Sequence, residues 1–520
     1  MSSSIAALLE AAQQHFHAGR HEAAAQLLRD VVAADPSNGD ALEGLGYIAA
    51  HGGDAPTAAN YFDRALAHLP LSAERLSNAA TANQAAGRHA RAVELLERLL
   101  DASPRHLDAL LSAGRSYSEL GKYDEALRLL TRARALNPRA WQIPYNIGRT
   151  LGLLARFDEE IAQYRQAIEL KPDNATAYVN LGVALRDQRR FDEALGAFKK
   201  ALQIAPNDAG ARTNRAQTNL LLGEYEHGWR EYEWRWLDGG QRHEFGELAW
   251  LGERPLNGKT LLVHSEQGFG DTLQFVRFVP WLAATGGRIV LRVQDPLLPL
   301  LKGFPGADLV IGTSDEVPPF DYHCPLMSLP HALKAHRRPI PADPYLHAAP
   351  ILRDAWRQRL PAEHARVRVG IAWSGSRTHV NDRARSMTLA DWAPLFDVDA
   401  SFVSLVKDVR EGDRATLQSA QHIAQVADAL DTFAETAALI AELDLVICVD
   451  TSVAHLAGAL GKPVWVLLPF MPDWRWLLDR SDSPWYGTAR LFRQPVRGDW
   501  PTVICNVRSA LGEFIAGASR

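Results

Sequence analysis

Only three cysteines stand in 520 residues, Cys324, Cys448 and Cys505. Their number is odd and no two form a CxxC pair, which argues against a disulfide framework and against a thiolate zinc site. A reducing cytoplasm suits such a chain. There is no excess of positive charge: 56 lysines and arginines face 61 aspartates and glutamates, a net charge of −5. Nucleic-acid binding driven by bulk charge is therefore not expected. No run of 18 apolar residues occurs. The most apolar segments, near Val446 and Val464, are broken by Asp450, His455 and Lys462, so no membrane span is expected. The first residues, Met1 to Ala7, lack a basic region and Glu10 follows early, so they do not read as a signal peptide. GxGxxG is absent, and no DxD motif sits at a strand end suited to a divalent ion; Asp321 and Asp343 stand alone. What is plentiful is apolar sequence, 47% of the chain, enough for several cores. The length leads us to expect two or three domains.

The first part of the chain is periodic. Pro36, Pro70, Pro104, Pro138, Pro172 and Pro206 fall at steps of 34 residues. A small residue recurs at the same step, at Ala12, Gly46, Ala80, Gly114, Gly148, Gly182 and Ala216. A second series runs Ala24, Ala58, Ala92, Ala126 and Ala194, with Glu160 as the exception. Aromatics recur at Tyr123, Phe157, Phe191 and Tyr225. Small residues let helices approach, aromatics fill the gap between them, and proline cannot continue the helix before it. A 34-residue period is one helix–turn–helix unit, and the segment from residue 5 to about 208 resembles the tetratricopeptide repeat family. A degenerate seventh unit follows. Its Trp229, Tyr232 and Trp236 share one helical stripe, read as a hydrophobic cap against the next domain or as a ligand box.

A solenoid presents a long concave surface. Asn78, Asn146, Asn180 and Asn214 each lie two residues before the small packing residue, with Ser112 filling the slot between the first two. Two helical steps turn about 200°, so these amides point away from the packed side and can meet a polypeptide backbone. They are equally readable as solvated polar residues. The resemblance favours the former: in O-linked N-acetylglucosamine transferases an asparagine ladder at the matching position holds the acceptor polypeptide.

From Lys259 onward β-branched runs alternate with amphipathic segments. The runs are Thr260–His264, Arg288–Val293, Asp308–Ile311, Val367–Trp373, Ser401–Val406, Asp444–Val449 and Val464–Leu468. Helices are expected over Asp271–Ala284, Leu389–Phe396, Thr432–Leu443 and Ser452–Leu460. Such alternation implies doubly wound parallel sheet. The proline-rich stretch from Pro339 to Pro350 separates two sets, giving two Rossmann-type halves. The expected layout is a repeat solenoid over 1–236, an acceptor-side half over 237–350 and a nucleotide-sugar-side half over 351–520. Two facing halves with a cleft between them form the arrangement called GT-B in glycosyltransferases.

Four stretches at strand ends carry candidate chemistry. In the first, His264 to Asp271, a strand ends, a glycine-rich turn follows and a helix starts. Asp271 is read either as a helix cap or as a functional acid. In the second, Asp450 ends a strand, and Thr451 and Ser452 open a helix whose free N–H groups suit phosphate. His455 lies one turn in; a capped helix with a buried histidine is the alternative. In the third, Ser374, Gly375 and Ser376 follow the strand at Trp373 and are trailed by the polar, cationic run Asn381 to Ser386, readable as a phosphate-covering loop or as solvated surface. In the fourth, Lys407 follows the strand ending at Val406, placed to balance charge on a leaving diphosphate or simply exposed. A loop containing Asp473, Trp474, Arg475 and Trp476 suits either stacking on a ligand or packing between halves.

The second stretch resembles the D-T-x-x-x-H-L signature of glycosyltransferase family 9, the heptosyltransferase-like group, where it holds the nucleotide diphosphate. The first resembles that family's N-terminal loop, in which an aspartate after glycine is the candidate general base, here Asp271. Ser265, Glu266 and Gln267 depart from the usual loop. Repeats joined to such a transferase look like bacterial protein glycosyltransferases, flagellin being one of their acceptors. The resemblance implies a cytoplasmic, metal-independent enzyme without a cofactor. It would move a sugar from a nucleotide-sugar to Ser or Thr of a protein recruited by the repeats. Two alternatives stand beside it: transfer to a lipid or polysaccharide, and a non-catalytic scaffold with a degenerate transferase domain.

Overall fold

A computed structural model describes residues 2–238, 244–246, 249–360, 367–379 and 381–518. The chain divides into two compact units, Met1–Pro206 and Asn207–Arg520.

The first unit is an α solenoid of six helix pairs, from Ser2–His17 with His21–Ala34 to Ala175–Asp187 with Phe191–Ile204. The periodic small residues are where adjacent helices come closest. A Cβ added to Gly46 would stand 2.8 Å from the Phe62 ring, and one added to Gly182 would stand 2.5 Å from the Phe198 ring. Phe62 and Phe198 belong to one 34-residue series with Leu96, Leu130 and Tyr164, all buried. The alanine series Ala24, Ala58, Ala92, Ala126 and Ala194 is fully buried. At its exception, Glu160, the facing residue is Gly152, whose missing side chain leaves room for the carboxylate. The prolines follow the second helix of each pair; Pro104, for example, comes two residues after the helix His89–Ala102.

The second unit opens with the helices Ala209–Leu221 and Tyr225–Tyr232 and a 3-10 turn, Glu233–Trp236. The Trp229 ring lies 5.1 Å from Trp474, 5.9 Å from Phe275 and 6.4 Å from Trp485. This stripe is a hydrophobic seam into the α/β region. Among the described residues, ten strands then form two wholly parallel sheets. The first has the order β3-β2-β1-β4, with β1 Thr260–His264, β2 Arg288–Val293, β3 Leu309–Gly312 and β4 Tyr322–Pro325. The second has the order β10-β9-β8-β5-β6-β7, with β5 Arg368–Ala372, β6 Ser401–Ser404, β7 Ile423–Gln425, β8 Leu445–Val449, β9 Val464–Leu468 and β10 Ala489–Arg493. Strands β5, β8 and β9 are buried almost throughout, as a sheet covered on both faces requires.

The expected helix Asp271–Ala284 is instead a series of short pieces. An α-turn over Phe269–Phe275 passes into a 3-10 turn, Val276–Phe278, and a further α-turn, Val279–Leu282. Pro280 enters there, and a proline is tolerated only near the start of a helical piece. Leu389–Leu395 is 3-10 rather than α, with Pro394 inside it.

Candidate active site

In an open parallel sheet, ligands bind outside the strand carboxyl ends where the strand order reverses. In the second sheet the chain steps from β5 outward to β6 and β7, then returns to β8 on the other side of β5. The reversal falls between β5 and β8, and the loops leaving these strands carry Ser374–Gly375–Ser376 and Asp450–Thr451–Ser452. Lys407 follows β6, one strand further along the same edge. Its side chain is half-exposed, with Nζ 3.6 Å from Asp431 Oδ1.

Thr451 stands at the N-cap of the helix Ser452–Ala459 without a side-chain cap bond. Its Oγ1 is buried without a partner. The first turn therefore has no side-chain cap for its leading N–H groups, at an end where the helix dipole also favours an anion. Asp450 is buried, and that burial, with the charge of Asp473, pushes its carboxyl up to about 6. Ser374 is buried and Ser376 is exposed, with Ser376 Oγ 2.9 Å from Thr378 Oγ1. His455 is enclosed, with Nδ1 2.9 Å from the Tyr486 hydroxyl and its ring stacked on Trp476. Burial first, then Arg475, Arg277 and Arg385, holds the imidazole well below its ordinary pKa, so it stays neutral.

Helices that follow β1 and β8 meet at this point. A Cβ on Gly270 would stand 2.8 Å from His455 Cδ2 and 3.5 Å from Ser452 Cα. Only glycine lets the start of the Phe269 helix come this close to the start of the Ser452 helix. The next residue is Asp271. One of its oxygens accepts from the Gly268 N–H at 2.8 Å, a reach-back within the first turn. The other accepts from Arg475 Nη2. Arg475 also donates to Asp473 at 2.8 Å and to Gln274 at 2.8 Å, and lies 4.2 Å over the Trp474 ring. Sequence reasoning gives Arg475 no role of its own, because two of its partners lie some two hundred residues away. Trp474 and Trp476 are buried packing residues. A carboxylate offers about four lone-pair sites, so Asp271 keeps acceptor capacity beyond these two bonds.

The equivalent reversal in the first sheet, between β1 and β4, is filled by the protein itself. Arg235 donates both Nε and Nη2 to Glu266, each at 2.8 Å, and Nη2 also donates to Ser328 Oγ at 2.8 Å. The Met327 N–H closes onto the same carboxylate at 3.0 Å. The departure of Ser265-Glu266-Gln267 from the family loop thus has a local role: Glu266 is the acceptor that seats Arg235.

The asparagines of the repeats are half-buried. Asn78 Nδ2 donates to the Tyr47 hydroxyl at 2.7 Å and Asn180 Nδ2 to that of Tyr145 at 3.0 Å. Asn146 and Asn214 donate to carbonyls of their own helices, Gln142 and Gly210, each at 2.9 Å.

Known families match two parts of the chain. The tetratricopeptide repeat family matches residues 9–73, 84–143 and 145–209. Glycosyltransferase family 9 (heptosyltransferase) matches residues 408–467, which include Asp450, Thr451, Ser452 and His455. Protein FlbA of Caulobacter vibrioides is 28% identical over 334 residues, 58% of this chain and 55% of that protein. The chain thus spans about half the length of this relative. Among solved structures, a tetratricopeptide repeat protein from Parabacteroides merdae is 19% identical, with a TM-score of 0.42, covering 47% of this chain and 96% of that one. A thermophilic TPR protein of Thermus thermophilus is 27% identical, with a TM-score of 0.32, covering 35% and 99%. The chain carries tetratricopeptide repeats followed by a parallel-sheet α/β region, of which residues 408–467 match family 9. Among the described residues no helix is long and apolar enough to cross a membrane.

Proposed function

We propose that this chain is a glycosyltransferase of GT-B type. It takes a sugar from a nucleotide-sugar and transfers it to a Ser or Thr hydroxyl of a protein gathered by the repeats, with flagellin a first acceptor to try. The observation that carries the reading is the reversal of strand order between β5 and β8. There the Ser452 helix starts without a side-chain cap and with the buried, unpartnered Thr451 hydroxyl, within the segment that matches family 9 and beside Asp271 of the other half.

In this reading the donor diphosphate lies against the Ser452 helix and the serine-rich turn after β5, with Lys407 at the outer edge. Asp271 takes the proton of the acceptor hydroxyl. That oxygen bonds to the sugar's anomeric carbon as the bond to phosphate breaks, and the electron pair leaves on the diphosphate. The helix N-terminus meets the charge that develops, so no metal ion is required. The enzyme would act in the cytoplasm, where nucleotide-sugars and newly made proteins meet.

A thermal-shift and titration screen of nucleoside mono- and diphosphates on the full chain tests the donor site. Stabilisation by one diphosphate is expected, followed by turnover of its sugar that persists in EDTA. No response to any nucleotide would sink the proposal. Transfer into a lipid fraction rather than protein would move the acceptor to the other class.

A further inference from the structure

Within the polar, cationic run after β5, one arginine reaches the point where the strand order reverses. Arg385 ends the short helix Asp382–Arg385, which follows the turn after β5. Its Nη1 crosses to the end of β8 and donates to the Asp450 carbonyl at 2.8 Å. Its Nη2 lies 3.0 Å from where a Cβ on Gly375 would stand, and Thr451 Cγ2 lies 3.2 Å from the same point. The guanidinium thus sits where the strand order reverses, between the loops of β5 and β8. No ion pair joins Arg385 to a carboxylate among the described residues, and its Nε is buried without a partner.

A second arginine holds this one in place. Arg410, after β6, puts Nη2 2.7 Å from both oxygens of Asp382, 3.0 Å from Ser386 Oγ and 3.1 Å from the Gly375 carbonyl. Ser386 Oγ in turn donates to Asp382 at 2.6 Å and accepts from the Gly375 N–H at 3.1 Å. Arg410 is held in a close ion pair by Asp382, whereas Arg385 has no carboxylate at ion-pair distance among the described residues and acts on the buried Asp450 carboxyl only through its charge. Beside Arg385 lies Thr451, nine-tenths buried, with its hydroxyl unpartnered and no capping duty. A guanidinium outside any close ion pair, an orphan hydroxyl and a helix start without a side-chain cap lie together here, and a fork of N–H donors is the side chain suited to phosphate oxygens.

We propose that Arg385 is a donor-binding residue that grips the diphosphate of the nucleotide-sugar, and that Arg410, Asp382 and Ser386 position it. This rests on the donor site proposed above and adds to it the residue that supplies the charge. Removing Arg385 therefore costs affinity for the phosphates and not for the nucleoside.

The test titrates the full chain with UDP, GDP, ADP, CDP and dTDP, then follows the tightest of these and its parent nucleoside. Against wild type, Arg385→Gln is expected to weaken the diphosphate about 10- to 100-fold, the range for a hydrogen bond to a charged group. The nucleoside should bind as before. Arg385→Lys, which keeps the charge but not the fork, should fall between. Unchanged diphosphate affinity in Arg385→Gln overturns the assignment. So does an equal loss for diphosphate and nucleoside, which would mean that Arg385 only shapes the crevice. Wild type that binds none of the five diphosphates removes the donor site itself, and the role of Arg385 with it.

Discussion

Asp450 holds a carboxyl where ionisation is costly. Burial and the charge of Asp473 raise it to about 6 from an ordinary value of 3.8. Between these two values the folded chain binds a proton that the unfolded chain does not, so stability falls as pH rises through the window. A rise of that size corresponds to roughly 3 kcal/mol, an upper bound for one side chain. Asp450→Asn removes the charge and keeps the shape. Its melting temperature should exceed wild type by several degrees at pH 7.5 and converge with it near pH 4, in calorimetry without ligand. Equal melting at pH 7.5 would show that the raised carboxyl is not a burden on the fold. At a donor site such a cost is tolerated for function, so the same variant should bind nucleoside diphosphate more weakly. Asp271 is a carboxylate held by Arg475 and the Gly268 N–H. If it takes the acceptor proton, Asp271→Asn should lower kcat about 10²–10⁴-fold, the usual share of a positioned base, with donor affinity unchanged. A variant of normal kcat and lower melting temperature would reduce Asp271 to a helix cap.

The turn inside each repeat uses one backbone device seven times. Residues 19, 53, 87, 121, 155, 189 and 223 all have positive φ, and five of them are glycine. The exceptions are Ala155 and Arg189, each at φ 58°. At the first of these the Ala155 N–H bonds the Gly152 carbonyl at 3.0 Å and the Arg156 N–H the Leu151 carbonyl at 2.9 Å, the double closure that favours glycine at its left-handed residue. An alanine there carries a strain of about 1 kcal/mol. Ala155→Gly should therefore raise the chemical-denaturation midpoint of the repeats. A lower midpoint would mean that the gain in unfolded-chain entropy outweighs the relief. This glycine series is legible in the sequence but is interrupted twice, whereas the prolines and small residues run without a gap. Among strands, β1, β2 and β9 are found where β-branched runs place them. Strand β4, Tyr-His-Cys-Pro, carries no such run and exists because β1 offers it an edge. Strand β10, with Arg490 and Arg493, is a charged edge strand and hides its apolar face from sequence reading. The strand-end motifs are visible in the sequence because each is local. The roles of Arg410 and Arg475 are not, because each gains its meaning from a partner on another loop, and Arg385 shows in the sequence only as one cation of a polar run.

At the scale of the whole molecule, the aromatic seam makes the position of a cut decisive. The compact second unit begins at Asn207, and the residues before 237 supply Trp229 and Tyr232 to the seam and Arg235 to Glu266. A fragment of residues 207–520 should therefore purify folded, whereas 237–520 should aggregate, as read by size-exclusion chromatography. With the first fragment in hand, the role of the repeats can be tested. Asn78 and Asn180 each commit an N–H to the hydroxyls of Tyr47 and Tyr145, and Asn146 and Asn214 to their own helices. These bonds fix the amides, and in the proposed reading the asparagine row meets the backbone of an extended polypeptide through hydrogen bonds. Each such bond contributes about 0.5–1.5 kcal/mol, so a single Asn→Ala change should be nearly silent. The fourfold change should weaken acceptor binding at least tenfold in a pull-down of the full chain. Nucleotide titration should be unaffected, because the donor residues all lie beyond residue 370. If fragment 207–520 glycosylates the acceptor at the full chain's rate, the repeats do not recruit it. If only the fourfold variant behaves as wild type, the repeats recruit through a surface other than the asparagines.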